Sequence, residues 1–146
     1  MLIRLLLLGK TRRPEIRVLL DDYAARIRRF ADLEIQELRE DSPAVRRGGR
    51  RIELAGAATV VLLDAAGKEY SSEQFARWLG ACRDRGAREI AFLCGAAGGF
   101  PDALARRATT KMSLSPLTFS HELARVMLAE QIYRAFAILA GHPYPK

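Results

Sequence analysis

Three short and almost wholly apolar runs, residues 2–8, 59–63 and 89–94, punctuate an otherwise charged chain. A run of that length without polar alternation suits a strand buried on both faces, as in parallel sheets. Between the runs the spacing turns helical. Pro14 opens the first such stretch, and Ile16, Leu19, Leu20, Tyr23, Ile27 and Phe30 recur along residues 15–30 with Arg and Asp between them. Ser71 and Gln74 form a capping-box pattern ahead of a helix carrying Phe75, Trp78 and Leu79, which Gly86 ends. A long helix is expected over residues 120–140, stopped by Gly141 and Pro143. Leu33, Ile35 and Leu38 alternate like a half-exposed strand, and residues 111–117 form a short segment leading into the last helix. This alternation predicts an α/β fold, a mainly parallel sheet with helices on both faces, in a single domain over residues 1–146.

The chain carries 24 Lys and Arg against 17 Asp and Glu, a net charge of +7, spread along its length rather than gathered in a tail. Such an excess favours a polyanionic partner. Arg outnumbers Lys by 20 to 4, which suits forked contacts to phosphate. Residues 40–51, EDSPAVRRGGRR, read either as a solvated loop or as an arginine cluster in which Arg46 and Arg47 touch RNA phosphates. The apolar opening is short and interrupted by Arg4, so it reads as a strand rather than a targeting segment. No apolar run approaches the roughly 20 residues a membrane helix needs. Cys82 and Cys94 lack metal-ligand spacing, so the expectations are no metal, no membrane and a reducing cytoplasmic setting.

Ligands of parallel sheets sit beyond the carboxyl ends of the strands, which directs attention to the loops after Leu63, Cys94 and Leu117. The run Gly95-Ala96-Ala97-Gly98-Gly99 lets a ligand approach the backbone, but alone it reads first as a plain tight turn, being neither GxGxxG nor a P-loop. It gains meaning beside LSPLTFSHELAR, residues 114–125, and the closing AEQIYRAFAILAGHPY. With these segments, with Gly9-Lys10, the DDYAARIRRF helix, and Leu63-Asp64 followed by Gly67-Lys68, the chain resembles end to end the ribosomal large-subunit pseudouridine N3 methyltransferases of the SPOUT class.

The resemblance implies a C-terminal trefoil knot, a homodimer, and S-adenosylmethionine bound in the knot loops. It places Leu63, Cys94, Gly95, Gly98, Leu114, Ser115, Pro116, Leu117, Thr118 and Phe119 around that cofactor, mostly through backbone groups. It implies methyl transfer to N3 of a pseudouridine in 23S ribosomal RNA within the assembled ribosome, which requires the imide proton to leave. The tail supplies candidates: His142 for proton transfer, Tyr144 for base stacking and Lys146 for a phosphate contact. Arg125 is a candidate for RNA contact or charge stabilisation, with a surface salt bridge as the equal alternative, and His121 reads as a polar residue at a helix start. Glu130 and Arg134 read as an ion pair within one helix. The sequence departs from the family pattern in Cys94-Gly95 where a glycine pair is expected, in Ser120 where Pro is common, and in Pro145 where a His usually follows Tyr144. An altered tail leaves a second reading open, a basic RNA- or ribosome-binding module with impaired catalysis. Leu123, Val126, Met127, Ile132, Tyr133, Phe136 and Leu139 spread over more than one face of the last helix, and a homodimer interface would use the surplus.

Overall fold

The computed structural model describes residues 1–40 and 59–144. Arg46, Arg47, Pro145 and Lys146 lie outside the described residues.

The apolar runs become strands of a five-stranded sheet in the order β2-β1-β4-β3-β5. The strands are β1 (Leu2–Leu8), β2 (Asp32–Leu38), β3 (Thr59–Glu69), β4 (Glu89–Cys94) and β5 (Thr110–Ser113), and every pairing is parallel. The helices are α1 (Pro14–Ile27), α2 (Ser72–Asp84), the single turn α3 (Asp102–Ala105) and α4 (His121–Leu139). Successive strand residues point to opposite faces, so β1 feeds two cores. Ile3, Leu5 and Leu7 join Ile90 and Phe92 beneath α1, α2 and α4, whereas Leu6 and Leu8 join Leu62, Leu93 and Leu104 of α3 on the other face. Burial on both faces is why β1 and β4 show no polar alternation. The one charge inside β1, Arg4, is buried but meets Glu89 of β4 at 3.0 Å, so the strand tolerates it.

The two faces are covered unequally. The three long helices share one face, with α4 packed against both α1 and α2, and α3 supplies the helix on the other. The Ser71 cap forms as read, its hydroxyl accepting from the Gln74 amide at 3.1 Å while the Gln74 side chain accepts from the Ser71 amide at 2.8 Å. Among the described residues no helix is long and apolar enough to cross a membrane.

Two boundaries depart from the hydrophobic pattern. The first helix closes at Ile27 rather than Phe30, because the chain tightens there and the Phe30 amide bonds Ile27 O at 2.8 Å. More consequentially, β3 continues past Leu63 to Glu69. Leu63 and Lys68 both pair with Met112 of β5, so the intervening residues bulge out of the ladder. Gly67 makes this possible. A Cβ there would lie 2.8 Å from the Lys111 carbonyl carbon and the Met112 nitrogen, both backbone atoms. As a result β5 is only Thr110–Ser113, and the following residues are released as a loop.

Candidate functional site

The released loop faces a cleft of about 450 Å³ beyond the carboxyl ends of β3, β4 and β5. β3 contributes Leu62, Leu63, Asp64 and Ala65, and the end of β4 contributes Cys94. The turn after β4 adds Gly95, Ala96, Gly99 and Phe100, while the β5–α4 loop adds Leu114, Ser115, Leu117, Thr118 and Phe119. His121 and Ala124, from the first turn of α4, close one side. The volume and the mainly apolar wall are those of a small-molecule site.

Local chemistry shapes each segment. In the glycine turn the Gly99 amide bonds Ala96 O at 2.9 Å, and Gly99 takes φ +83°, a value side chains disfavour. A Cβ on Gly95 would press on the Phe100 ring at 3.2 Å and Gly99 O at 3.3 Å, so any side chain there requires the ring or that carbonyl to give way. In the β5–α4 loop the Ser115 hydroxyl accepts from the Leu117 amide at 3.0 Å, and Ser120 caps α4 by accepting from Leu123 at 3.3 Å. Serine can therefore serve at position 120 because it stops the loop and starts the helix. Leu117 is left 73% exposed, an apolar side chain at the cleft.

Cys94 sits fully buried in this wall. Burial pushes its thiol up to about 12, an effect that the nearby Arg125 only partly offsets. It therefore stays protonated across the neutral range and is no nucleophile. Iodoacetamide should leave Cys94 unmodified in the native protein at pH 8 and label it after unfolding; rapid native labelling, read by mass spectrometry, would contradict this placement.

Most of the expected cofactor residues are brought together: Leu63, Cys94, Gly95, Leu114, Ser115, Leu117, Thr118 and Phe119 all line the cleft. Two are not. Gly98 is exposed, stands off the wall, and would place a Cβ in open space, so flexibility at Gly99 and close approach at Gly95 are what the loop uses. Pro116 likewise is exposed and off the wall, at the outer bend of its loop. Gly98→Leu should accordingly leave cofactor affinity within about twofold of the parent, as a surface change does. A calorimetric loss of affinity would restore Gly98 to the site.

Arg125 requires a larger correction. It is 0% exposed and donates to Leu8 O at 2.6 Å, Gly9 O at 2.8 Å and the Thr11 hydroxyl at 2.8 Å. It cannot reach RNA or a reacting group; it ties α4 to the end of β1. Burial lowers its pKa, but a guanidinium remains charged at any physiological pH. Glu122 acts beside it. Its carboxylate accepts the Arg12 amide at 2.9 Å and the Arg13 amide at 3.0 Å. Those bonds, Arg13's foremost, hold its pKa below the ordinary carboxylate value against the opposing effect of burial. Stability from this contact is therefore complete above the ordinary carboxyl range and is lost progressively as pH falls from that range through the depressed value.

The tail folds away from this cleft within its own chain. Tyr144 packs edge-on against Tyr133 with centroids 4.8 Å apart, and the Arg134 guanidinium lies 4.5 Å from its ring centre. Burial, with Tyr23 and Glu130 beside it, raises its phenol above the ordinary value, so it serves as a donor and not as a base. His142 is exposed, its Nδ1 3.0 Å from Pro143 O. Glu130 and Arg134 form the expected pair, at 2.5 Å. Lys111, Phe100 and His121 line the cleft although the sequence reading gave none of them a place there. Their only signal was proximity to the strand ends.

A parallel sheet with an apolar cleft past its strand ends, and no arginine or lysine in its glycine turn to cradle phosphate, defines an α/β protein built for a small organic cofactor. The family model described as "Predicted SPOUT methyltransferase" matches residues 1–145, and the chain belongs to that family of S-adenosylmethionine-dependent methyltransferases. It is 40% identical to the "Ribosomal RNA large subunit methyltransferase H" of Geobacter sulfurreducens and 42% to that of Pelobacter propionicus, in each case over 99% of both chains. Among solved structures, a probable methylase family protein from Haemophilus influenzae Rd KW20 superposes with a TM-score of 0.57 at 11% identity, over 99% of this chain and 72% of that one, a likeness of fold.

Proposed function

We propose that the protein transfers a methyl group from S-adenosylmethionine to N3 of a pseudouridine in 23S ribosomal RNA, on assembled ribosomes, as a cytoplasmic homodimer whose C-terminal part is tied in the family's trefoil knot. The cleft carries the reading. Its apolar wall with backbone edges suits an adenosine, and its polar groups, Asp64, Ser115 and Thr118, suit the hydroxyl and amino-acid groups of such a cofactor. Leu63, Cys94, Gly95, Leu114, Leu117 and Phe119 would hold it. Bound there, it supplies an electrophilic sulfonium methyl, a chemistry that requires no metal.

The chain's own contribution is positioning and exclusion of water. Protonated Cys94 offers no competing nucleophile inside the wall. Neither His142 nor Tyr144 lines the cleft of its own chain, and in a dimer the partner's tail would be free to complete the site. The exposed apolar side chains Val18, Leu19, Leu123 and Met127 support the dimer. In that arrangement His142 would receive the imide proton, and Tyr144, braced by Tyr133 and Arg134, would stack with the base. The protein, labelled S-adenosylmethionine and ribosomes from a strain lacking the corresponding enzyme are the reagents of the test. Mass spectrometry of nucleosides should show one added methyl on a pseudouridine; no methylated pseudouridine would reject the reading.

A further inference from the structure

We infer that the loop joining β1 to α1 is an RNA-backbone docking platform, with Lys10, Arg12 and Arg13 as its phosphate-binding side chains; the identity of the polyanion rests on the function proposed above. The first turn of α4 is divided between two tasks. His121 and Ala124 line the cofactor cleft, while the interleaved Glu122 and Arg125 grip the β1–α1 loop. Five hydrogen bonds from those two buried side chains fix the loop backbone and the Thr11 hydroxyl between Leu8 and Arg13. The loop is therefore rigid and one residue removed from the cleft wall.

What it displays is mainly positive charge, although the Glu40 carboxylate lies against Gly9 at its start. Lys10, Arg12 and Arg13 are all exposed, whereas Thr11 between them is buried. Among the described residues no carboxylate pairs with these three side chains. Arg17, one turn on, differs: Glu37 neutralises it at 3.0 Å. A buried carboxylate and a buried guanidinium are costly to desolvate, and here both hold the backbone that carries these three residues, on the same carboxyl edge of the sheet as the cleft. An anion docked there would be attracted by all three, and exposed Lys and Arg on a braced backbone suit the repeating phosphates of a nucleic-acid backbone. The platform reads no base. It sets where the RNA lies relative to the transferred methyl group.

The test measures binding of dye-labelled protein to purified large ribosomal subunits over potassium chloride from about 50 to 200 mM, which does not require methyl transfer. The triple variant Lys10→Ala, Arg12→Ala, Arg13→Ala should bind at least roughly tenfold more weakly at the low-salt end. Its slope of log affinity against log salt should be smaller by about two to three, one unit or slightly less per lost phosphate contact. Calorimetry with S-adenosylmethionine should give the parent affinity, and Arg12→Lys with Arg13→Lys should keep the parent slope. An unchanged slope in the triple variant, or a parallel loss of cofactor affinity, would overturn the platform. Parent protein that binds subunits in this manner but methylates no pseudouridine would instead reject the proposed reaction and leave the platform standing.

Discussion

Replacing Gly67 by alanine should destabilise the protein by about 1–3 kcal/mol and weaken S-adenosylmethionine binding by roughly tenfold or more. The cause is a collision with backbone. The added Cβ would sit 2.8 Å from Met112 N and the Lys111 carbonyl carbon and 2.9 Å from Lys111 O, and main-chain atoms in a strand cannot swing aside as a side-chain tip can. Relief requires β5 to separate from the end of β3, where Lys68 and Glu69 pair with Met112 and Ser113. Lys111 and Leu114 line the cleft, so the displacement is delivered to the cofactor site. Urea unfolding and calorimetry on the same preparation check both effects. A variant with the parent's midpoint and affinity would show that the bulge has slack.

Arg125→Met should cost about 3 kcal/mol or more, although it replaces a charged helix residue by one that favours helix and apolar surroundings. Three acceptors on the β1–α1 segment, Leu8 O, Gly9 O and the Thr11 hydroxyl, would lose the donor that satisfies them at a buried position. Leaving such groups unpaired is the expensive step. Arg125→Lys should recover only part of the loss, because an ammonium cannot present the guanidinium's fork to separate acceptors. The readout is the denaturation midpoint of both variants against the parent. A Met variant as stable as the parent would contradict the bracing role.

How far the sequence discloses these features depends on what kind of force carries them. Burial on two faces leaves an unbroken apolar run, so β1 and β4 are legible to the residue, and the paired side-chain and backbone bonds of Ser71 and Gln74 make the start of α2 legible too. The extension of β3 through Asp64-Ala65-Ala66-Gly67 is not, because its partner is chosen by backbone proximity at Gly67 and not by hydrophobicity. The glycine turn divides for the same reason: of the two expected glycines only Gly95 is pressed by Phe100, Gly98 faces open space, and Gly99 is the one with positive φ. Arg125 was misread from its charge. A helical signal was available, since Glu122 and Arg125 fall on the same buried stripe as Val126, Ala129, Ile132, Tyr133 and Phe136. Charged residues on such a stripe are either errors of assignment or bonded inside the fold, and here they are bonded.

A cleft beyond β3, β4 and β5 that holds the methyl donor should reveal itself in a side-by-side calorimetric titration of S-adenosylmethionine into the parent and Gly95→Leu proteins. A leucine there must displace the Phe100 ring and Gly99 O that a Cβ alone already crowds, closing the turn over the cleft. The parent should show saturable binding, and the variant, with its circular dichroism spectrum intact, should bind at least about tenfold more weakly. Equal affinities in the two proteins, or no binding by the parent, would contradict that cleft as the donor site.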